Sequence, residues 1–384
     1  MSALRVLITT RKLGRRSGSE LYVWDLATGL LERGHTPIVY SARLGPLAAE
    51  LREQTVPIVD DLGKIAMPPD IIHGQGNHDL ITALLRFPDT PAIRICHGWN
   101  DVSPPPPFPR LRCFVAVDYT VRDHLLFEWG IPEDKVRVQL NFADVRRFQP
   151  RAPLPSRPAR ALVFSNNARE HLWAIQQACA RLGITVEAVG ESVGASTSHP
   201  EALLGDYDLV FAKGRCAIEA LVTGTAVVLC DAAGVGPMVT SVELDRLRRL
   251  NFGLRTLRAQ VLPEVIAREL ARYDPEDAAL VSQLVRTTAG RDVAVGSMIA
   301  LYDEVIETYR RDGGTDPRLD LQATALYLAA LDRGQLEALA SPRPTHALIR
   351  RLYRASRWLP GLRKLVRRPA VERLIHATRW RFRS

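Results

Sequence analysis

Nowhere in the 384 residues does an uninterrupted apolar run approach 18 positions, so no helix of this chain is expected to span a membrane. The first apolar stretch, Val6-Leu7-Ile8, is too short for a signal-peptide core, and the chain is expected in the cytoplasm. Cysteine is sparse and unpatterned. Cys96, Cys113, Cys179, Cys216 and Cys230 form no CxxC pair, which leaves a metal cluster or redox motif without support. They read as buried thiols in a reducing compartment. Also missing are a GxGxxG fingerprint, a Walker lysine followed by Ser or Thr, and any repeat at solenoid period. The proline run at 104–107 is the one low-complexity stretch.

The hydrophobic share of 46% against 24% charged residues excludes global disorder. The length exceeds what one hydrophobic core fills, which points to two domains. The net charge of +9 is concentrated at one end: residues 341–384 hold 13 Arg and Lys against one acid, Glu372, and the body is left at −3.

Short β-branched runs alternate with helical patterns through residues 1–149, the first expected domain. Leu4-Arg5-Val6-Leu7-Ile8 predicts a strand. Leu21, Trp24, Asp25, Thr28 and Leu31 recur at helical spacing over 20–33, Gly34 stops that helix, and 36–40 begins the next strand. Residues 149–160, QPRAPLPSRPAR, carry four prolines without apolar periodicity and read as a linker, bounded at 150–160. The alternation restarts at 161 and runs to about 310, a second domain, and 311–384 follow as a helical extension with a basic tail. This rhythm implies two parallel α/β sheets facing a cleft, with ligands beyond the carboxyl ends of the strands.

Four segments carry candidate chemistry. The loop Arg11-Lys12-Leu13-Gly14-Arg15-Arg16-Ser17-Gly18-Ser19-Glu20 joins a strand to a helix start, where glycine and the helix dipole favour an anion. A solvated turn capped by Ser17 or Ser19 fits the same letters. His97, in Ile95-Cys96-His97-Gly98-Trp99-Asn100, sits at a strand end where an imidazole can meet a sugar hydroxyl or take a proton, and His73 has a similar place; a lone histidine is more often structural. In the run from Asp208 to Gly224, a Lys213-Gly214-Arg215 turn opens a helix containing Glu219. Its amides and cations suit phosphates, and a carboxylate one turn in can accept ribose hydroxyls; a Glu favoured by the helix dipole is the alternative. Asp206-Tyr207-Asp208 spells a DxD metal motif but precedes an apolar strand and reads as a turn, so no metal is expected.

Taken in order, these segments resemble the retaining, nucleotide-sugar-dependent glycosyltransferases of GT-B fold, family 4-like. The resemblance runs through Ser17-Gly18-Ser19-Glu20, Leu31-Glu32-Arg33-Gly34-His35, Pro69-Asp70-Ile71-Ile72-His73-Gly74, His97-Gly98, Gly130-Ile131-Pro132-Glu133-Asp134-Lys135-Val136 and Asn141-Phe142-Ala143-Asp144, over residues 3–310. It implies that Glu219 binds the donor ribose, that His97 faces the donor sugar as the catalytic candidate, and that Gly18 and Ser19 lie by the diphosphate. Two departures are visible. Phe211 stands where the family has a first glutamate, and Ser165-Asn166-Asn167-Ala168-Arg169 replaces the usual Arg and Lys clamp. The diphosphate is then expected to be neutralised by Lys213, Arg215 and Arg169, beside the Gly214 amide, with no metal and no cofactor.

The expected activity is sugar transfer, with retention, to a glycan or lipid-linked acceptor. A nucleotide-sugar epimerase or hydrolase, or a protein that binds without transfer, are the alternatives. In the tail, Leu348, Leu352, Ala355 and Leu359 fall on one helical side and Arg350, Arg351, Arg354 and Arg357 on another. This suits an anionic membrane surface, and nothing in the body suggests nucleic acid.

Overall fold

The computed structural model describes residues 3–99 and 107–340; the proline run at 104–107 all but its last residue, and the basic tail at 341–384, lie outside the described residues. The first compact unit ends at Leu319 and the second begins at Asp320.

Seven parallel strands build the first lobe: β1 (Arg5–Thr9), β2 (Thr36–Tyr40), β3 (Ile58–Val59), β4 (Ile71–Gly74), β5 (Ala92–Cys96), β6 (Leu111–Ala116) and β7 (Val136–Val138), in the order β3-β2-β1-β4-β5-β6-β7. The connecting helices are α1 (Gly18–Leu31), α2 (Pro46–Glu53), α3 (Asn77–Arg86) and α4 (Tyr119–Phe127). Every residue of β5 is buried, as expected of a strand covered on both faces.

The second lobe contains β8 (Arg160–Phe164), β9 (Thr185–Val189), β10 (Leu209–Ala212), β11 (Ala226–Asp231) and β12 (Gly234–Met238), ordered β12-β11-β10-β8-β9, with only β12 antiparallel. Its helices are α5 (Leu172–Ala180), α6 (Pro200–Leu203), α7 (Gly214–Thr223), α8 (Leu244–Arg249), α9 (Pro263–Leu270) and α10 (Pro275–Thr288). Strand alternation splits its core in two. Val210 and Ala212 join Leu162 and Val227 on one face, while Leu209 and Phe211 join Val163 and Val228 on the other. The two Rossmann-like sheets expected from the sequence are therefore present.

Residues 291–310 differ from the sequence reading, which grouped them with the second domain. Helix α11 (Arg291–Arg311) returns to the first lobe. Its Tyr302 hydroxyl lies 2.7 Å from His73 Nδ1, Arg33 reaches Asp292 at 3.3 Å, and Arg137 reaches Glu304 at 3.0 Å. Gly29 makes this possible, because a Cβ there would meet Val295 Cγ2 at 2.8 Å. The chain thus crosses between lobes twice, and the crossings are tied together: the Ala143 amide donates to Ala289 O, and the Arg291 amide donates to Ala143 O, both at 2.9 Å.

The linker is held against the second lobe. Arg151 donates to the Tyr207 carbonyl and pairs with Asp208 at 3.1 Å, while the Ala159 and Arg160 amides donate to Asp208 Oδ2 at 2.8 and 3.1 Å. Asp208 therefore fastens the linker to the second lobe, which gives the DxD letters a structural use. The second unit contributes most of α12 (Pro317–Ala340). Among the described residues no helix is long and apolar enough to cross a membrane.

Candidate functional site

The carboxyl ends of β1, β5, β8, β10 and β11 lead into loops that face one another between the lobes. Two cavities lie there. One of about 390 Å³ is bounded by Gly18, Ser19, His97, Trp99, Asn166, Lys213, Gly214 and Asn251, among others. The second, of about 410 Å³, is bounded by Arg15, Arg16, Arg147, Gly190, Glu191 and Glu219, among others. Gly18, Phe164, Asn166, Arg215 and Cys216 belong to both, so the cavities meet where α1 and α7 begin.

The start of α1 is shaped from inside. The Glu20 carboxylate accepts from the Gly14 and Arg15 amides at 2.6 Å each and from Ser17 Oγ at 3.0 Å. The loop amides expected at a diphosphate are thus taken by the protein's own anion. What faces the cavity is the first turn of α1, Gly18 and Ser19, where amides lack intrahelical acceptors.

Helix α7 begins similarly. Its N-cap is Lys213, and Gly214 has φ +56, a conformation that favours glycine. Gly224, at φ +92, ends the helix in a left-handed cap. Lys213 Nζ lies 2.9 Å from the buried Asp231. Arg215 Nε donates to Glu219 Oε1 at 2.8 Å, and its terminal nitrogen pairs with Asp25 of α1 in the opposite lobe. Both cations expected to neutralise a diphosphate already hold carboxylates. Arg169 stands apart: it is exposed and lines neither cavity.

Glu219 is buried, and burial outweighs the neighbouring guanidinium, raising its pKa above the ordinary carboxylate value. Oε1 is engaged by Arg215 while the residue still lines the second cavity. Phe211 lies within β10 with its side chain fully buried, so the position eight residues before Glu219 points into core and not towards a ligand.

His97 lines the first cavity and packs edge-on against Tyr22 at 5.0 Å. Its Nε2 is buried without a hydrogen-bond partner. Burial lowers its pKa to about 4, so the imidazole is neutral near pH 7. His73, read more weakly from sequence, is fully buried behind it, stacked on Tyr22 at 5.8 Å and lowered to about 3 by burial and by His97. Asp231 and Asn251 escaped the sequence reading, Trp99 stood there only beside His97 in one segment, and Asp25 had no site role. Asp25 was visible there only as a member of the helical repeat, and its interlobe role depends on tertiary contact.

The family model of Glycosyltransferase Family 4 matches residues 16–147. No curated protein matches the chain by sequence. Among solved structures, a glycosyltransferase from Rickettsia africae ESF-5 is similar at TM-score 0.60 and 16% identity, covering 80% of this chain and 99% of its own. Anabaena HepE, solved in complex with UDP and glucose, is similar at TM-score 0.55 and 14% identity, covering 77% of this chain and 98% of its own. At these identities the likeness speaks to fold. Residues 16–147 therefore resemble the Glycosyltransferase Family 4 domain, and the chain has the GT-B fold of these neighbours.

Proposed function

We propose that this protein is a glycosyltransferase that moves a sugar from a nucleotide-sugar donor to a glycan or lipid-linked acceptor. The observation that carries the reading is the pair of cavities joined at the N-terminal ends of α1 and α7. A nucleoside in the cavity of Gly190, Glu191 and Glu219 would place its ribose by Glu219. The diphosphate would then cross Gly18 and the Arg215-Cys216 turn, and the sugar would enter the cavity of His97. Both helix dipoles favour negative charge at that crossing.

In the reaction, the bond from the anomeric carbon to the donor phosphate oxygen breaks, a bond to an acceptor hydroxyl oxygen forms, and the nucleoside diphosphate leaves with the electron pair and takes up the hydroxyl proton. Charge growing on the departing diphosphate is met by the positive ends of α1 and α7, without a metal. A neutral His97 suits hydrogen bonding to a sugar hydroxyl. The resemblance to family 4 supports retention of anomeric configuration. The 13 basic residues of 341–384 support peripheral attachment to anionic lipid, at roughly 1 kcal/mol per basic residue near the surface. Deleting 341–384 should then abolish salt-sensitive sedimentation with anionic vesicles, and equal sedimentation of the truncated chain would remove the tail from the proposal.

The binding-only reading draws on the carboxylates already holding Lys213 and Arg215. Incubation with UDP-sugars, with and without a cell-derived acceptor fraction, separates the readings. Transfer needs the acceptor, epimerisation or hydrolysis proceeds without it, and a binding protein leaves the donor unchanged.

A further inference from the structure

The cavity around His97 has features that nucleotide binding and the hydrogen bond assigned to His97 leave unused. Trp99 lies on its wall with 39% of its surface exposed. The indole is not loose. It packs against the His124 ring at 4.8 Å, His124 packs on Trp129 at 5.0 Å, and the Arg94 guanidinium lies over Trp129 at 4.9 Å. This stack fixes an aromatic ring at the cavity from the first lobe.

The second lobe supplies Asn251 to the same cavity. It is 5% exposed, and its Oδ1 has no hydrogen-bond partner. Asn251 and Phe252 both have left-handed backbones, with φ 52 and 51. Asparagine tolerates this conformation and phenylalanine does not, so surrounding contacts must impose it. The Phe252 amide donates to Leu247 O, and its carbonyl accepts from the Gly214 amide, both at 2.9 Å. The strained turn is thereby pinned to the start of α7. Thr120 Oγ1, also at this cavity, is a further buried oxygen without a partner.

Buried polar atoms are normally paired. Asn251 Oδ1 and Thr120 Oγ1 around one cavity, beside a held indole, match the chemistry of a pyranose. Such a ring offers weakly positive C–H groups to an aromatic face and hydroxyls around its edge. We infer that Trp99 and Asn251 form a carbohydrate subsite in the cavity of His97, with Trp99 as the stacking platform and Asn251 accepting from a ring hydroxyl. The inference rests on the glycosyltransferase reading. Neither residue borders the cavity of Glu219, where the nucleoside is placed, so nucleotide binding does not depend on them.

Saturation-transfer NMR on the full chain tests it, using the methyl glycosides of glucose, galactose, mannose and N-acetylglucosamine in the presence of UDP. UDP affinity is measured separately by calorimetry. At least one glycoside should bind with saturation strongest on the C–H groups of one ring face. Trp99→Ala should weaken it about two- to tenfold, and Trp99→Phe less. Asn251→Gly, which keeps the left-handed backbone and removes the amide, should also weaken it. UDP affinity should stay within about twofold in all three variants. Equal glycoside affinity in Trp99→Ala, or no binding of any of the four sugars to the wild type, overturns the subsite. Failure of wild-type protein to bind any of UDP, GDP, ADP or dTDP strikes the glycosyltransferase reading instead.

Discussion

Arg215 of α7 and Asp25 of α1 form a buried ion pair across the two lobes, and the same guanidinium holds Glu219 Oε1 at 2.8 Å. One cation thus serves two carboxylates, and it couples the candidate ribose ligand to the fit between the lobes. Removing the cation leaves both acids facing each other out of water. Arg215→Leu should therefore destabilise the chain by about 3–5 kcal/mol, and Asp25→Asn by less, because Arg215 keeps Glu219. Chemical denaturation reads both values, and a loss below about 1 kcal/mol in Arg215→Leu would show that the pair contributes little.

Glu219→Ala should reduce nucleotide affinity at least about tenfold, because a carboxylate accepting ribose hydroxyls makes charge-assisted bonds worth about 1.5–3 kcal/mol each. Glu219→Gln, which retains an acceptor of the same shape, should fall between. Calorimetric titration with UDP checks the order, provided circular dichroism shows both variants folded. Unchanged affinity in Glu219→Ala would leave the residue as a partner for Arg215 and nothing more.

The ordering of strands and helices was legible because it follows from periodicity and glycine stops. The strand at 36–40 and the end of α7 at Gly224 fall where the sequence puts them. The site was legible only in part. His97, Gly18, Ser19, Lys213, Gly214, Arg215 and Glu219 do meet at the cavities, but Arg169 does not. Charge type alone could not reveal that Asp231 and Asp25 occupy Lys213 and Arg215, since those partners are distant in sequence. Residues 291–310 were misplaced for a related reason: a helical pattern does not say which lobe its apolar face will cover.

Acid should destabilise the fold through the buried histidines. His73 and His97 have pKa values of about 3 and about 4, below the ordinary histidine value. The unfolded chain therefore takes up protons first as pH falls. Their contribution is complete above about pH 6.5 and is lost progressively towards pH 3–4, on the order of 5 kcal/mol for His73. Denaturation midpoints from pH 8 to 4 measure this. His73→Phe should flatten the acid limb, and an unaltered limb would contradict the assignment.

Activity should survive a chelator. With α1 and α7 directing their positive ends at the crossing, and with Asp208 committed to the linker, EDTA should change the rate by less than about twofold. Loss of turnover with EDTA and recovery with manganese would require a metal site.

The most direct measurement is donor turnover by the full chain with a cell-derived acceptor fraction, followed by mass spectrometry of the product. The account predicts a glycosylated acceptor, nucleoside diphosphate released in equal amount, and no comparable donor loss when acceptor is omitted. Donor consumption that is independent of acceptor, or UDP-sugar bound and left intact in its presence, would contradict it.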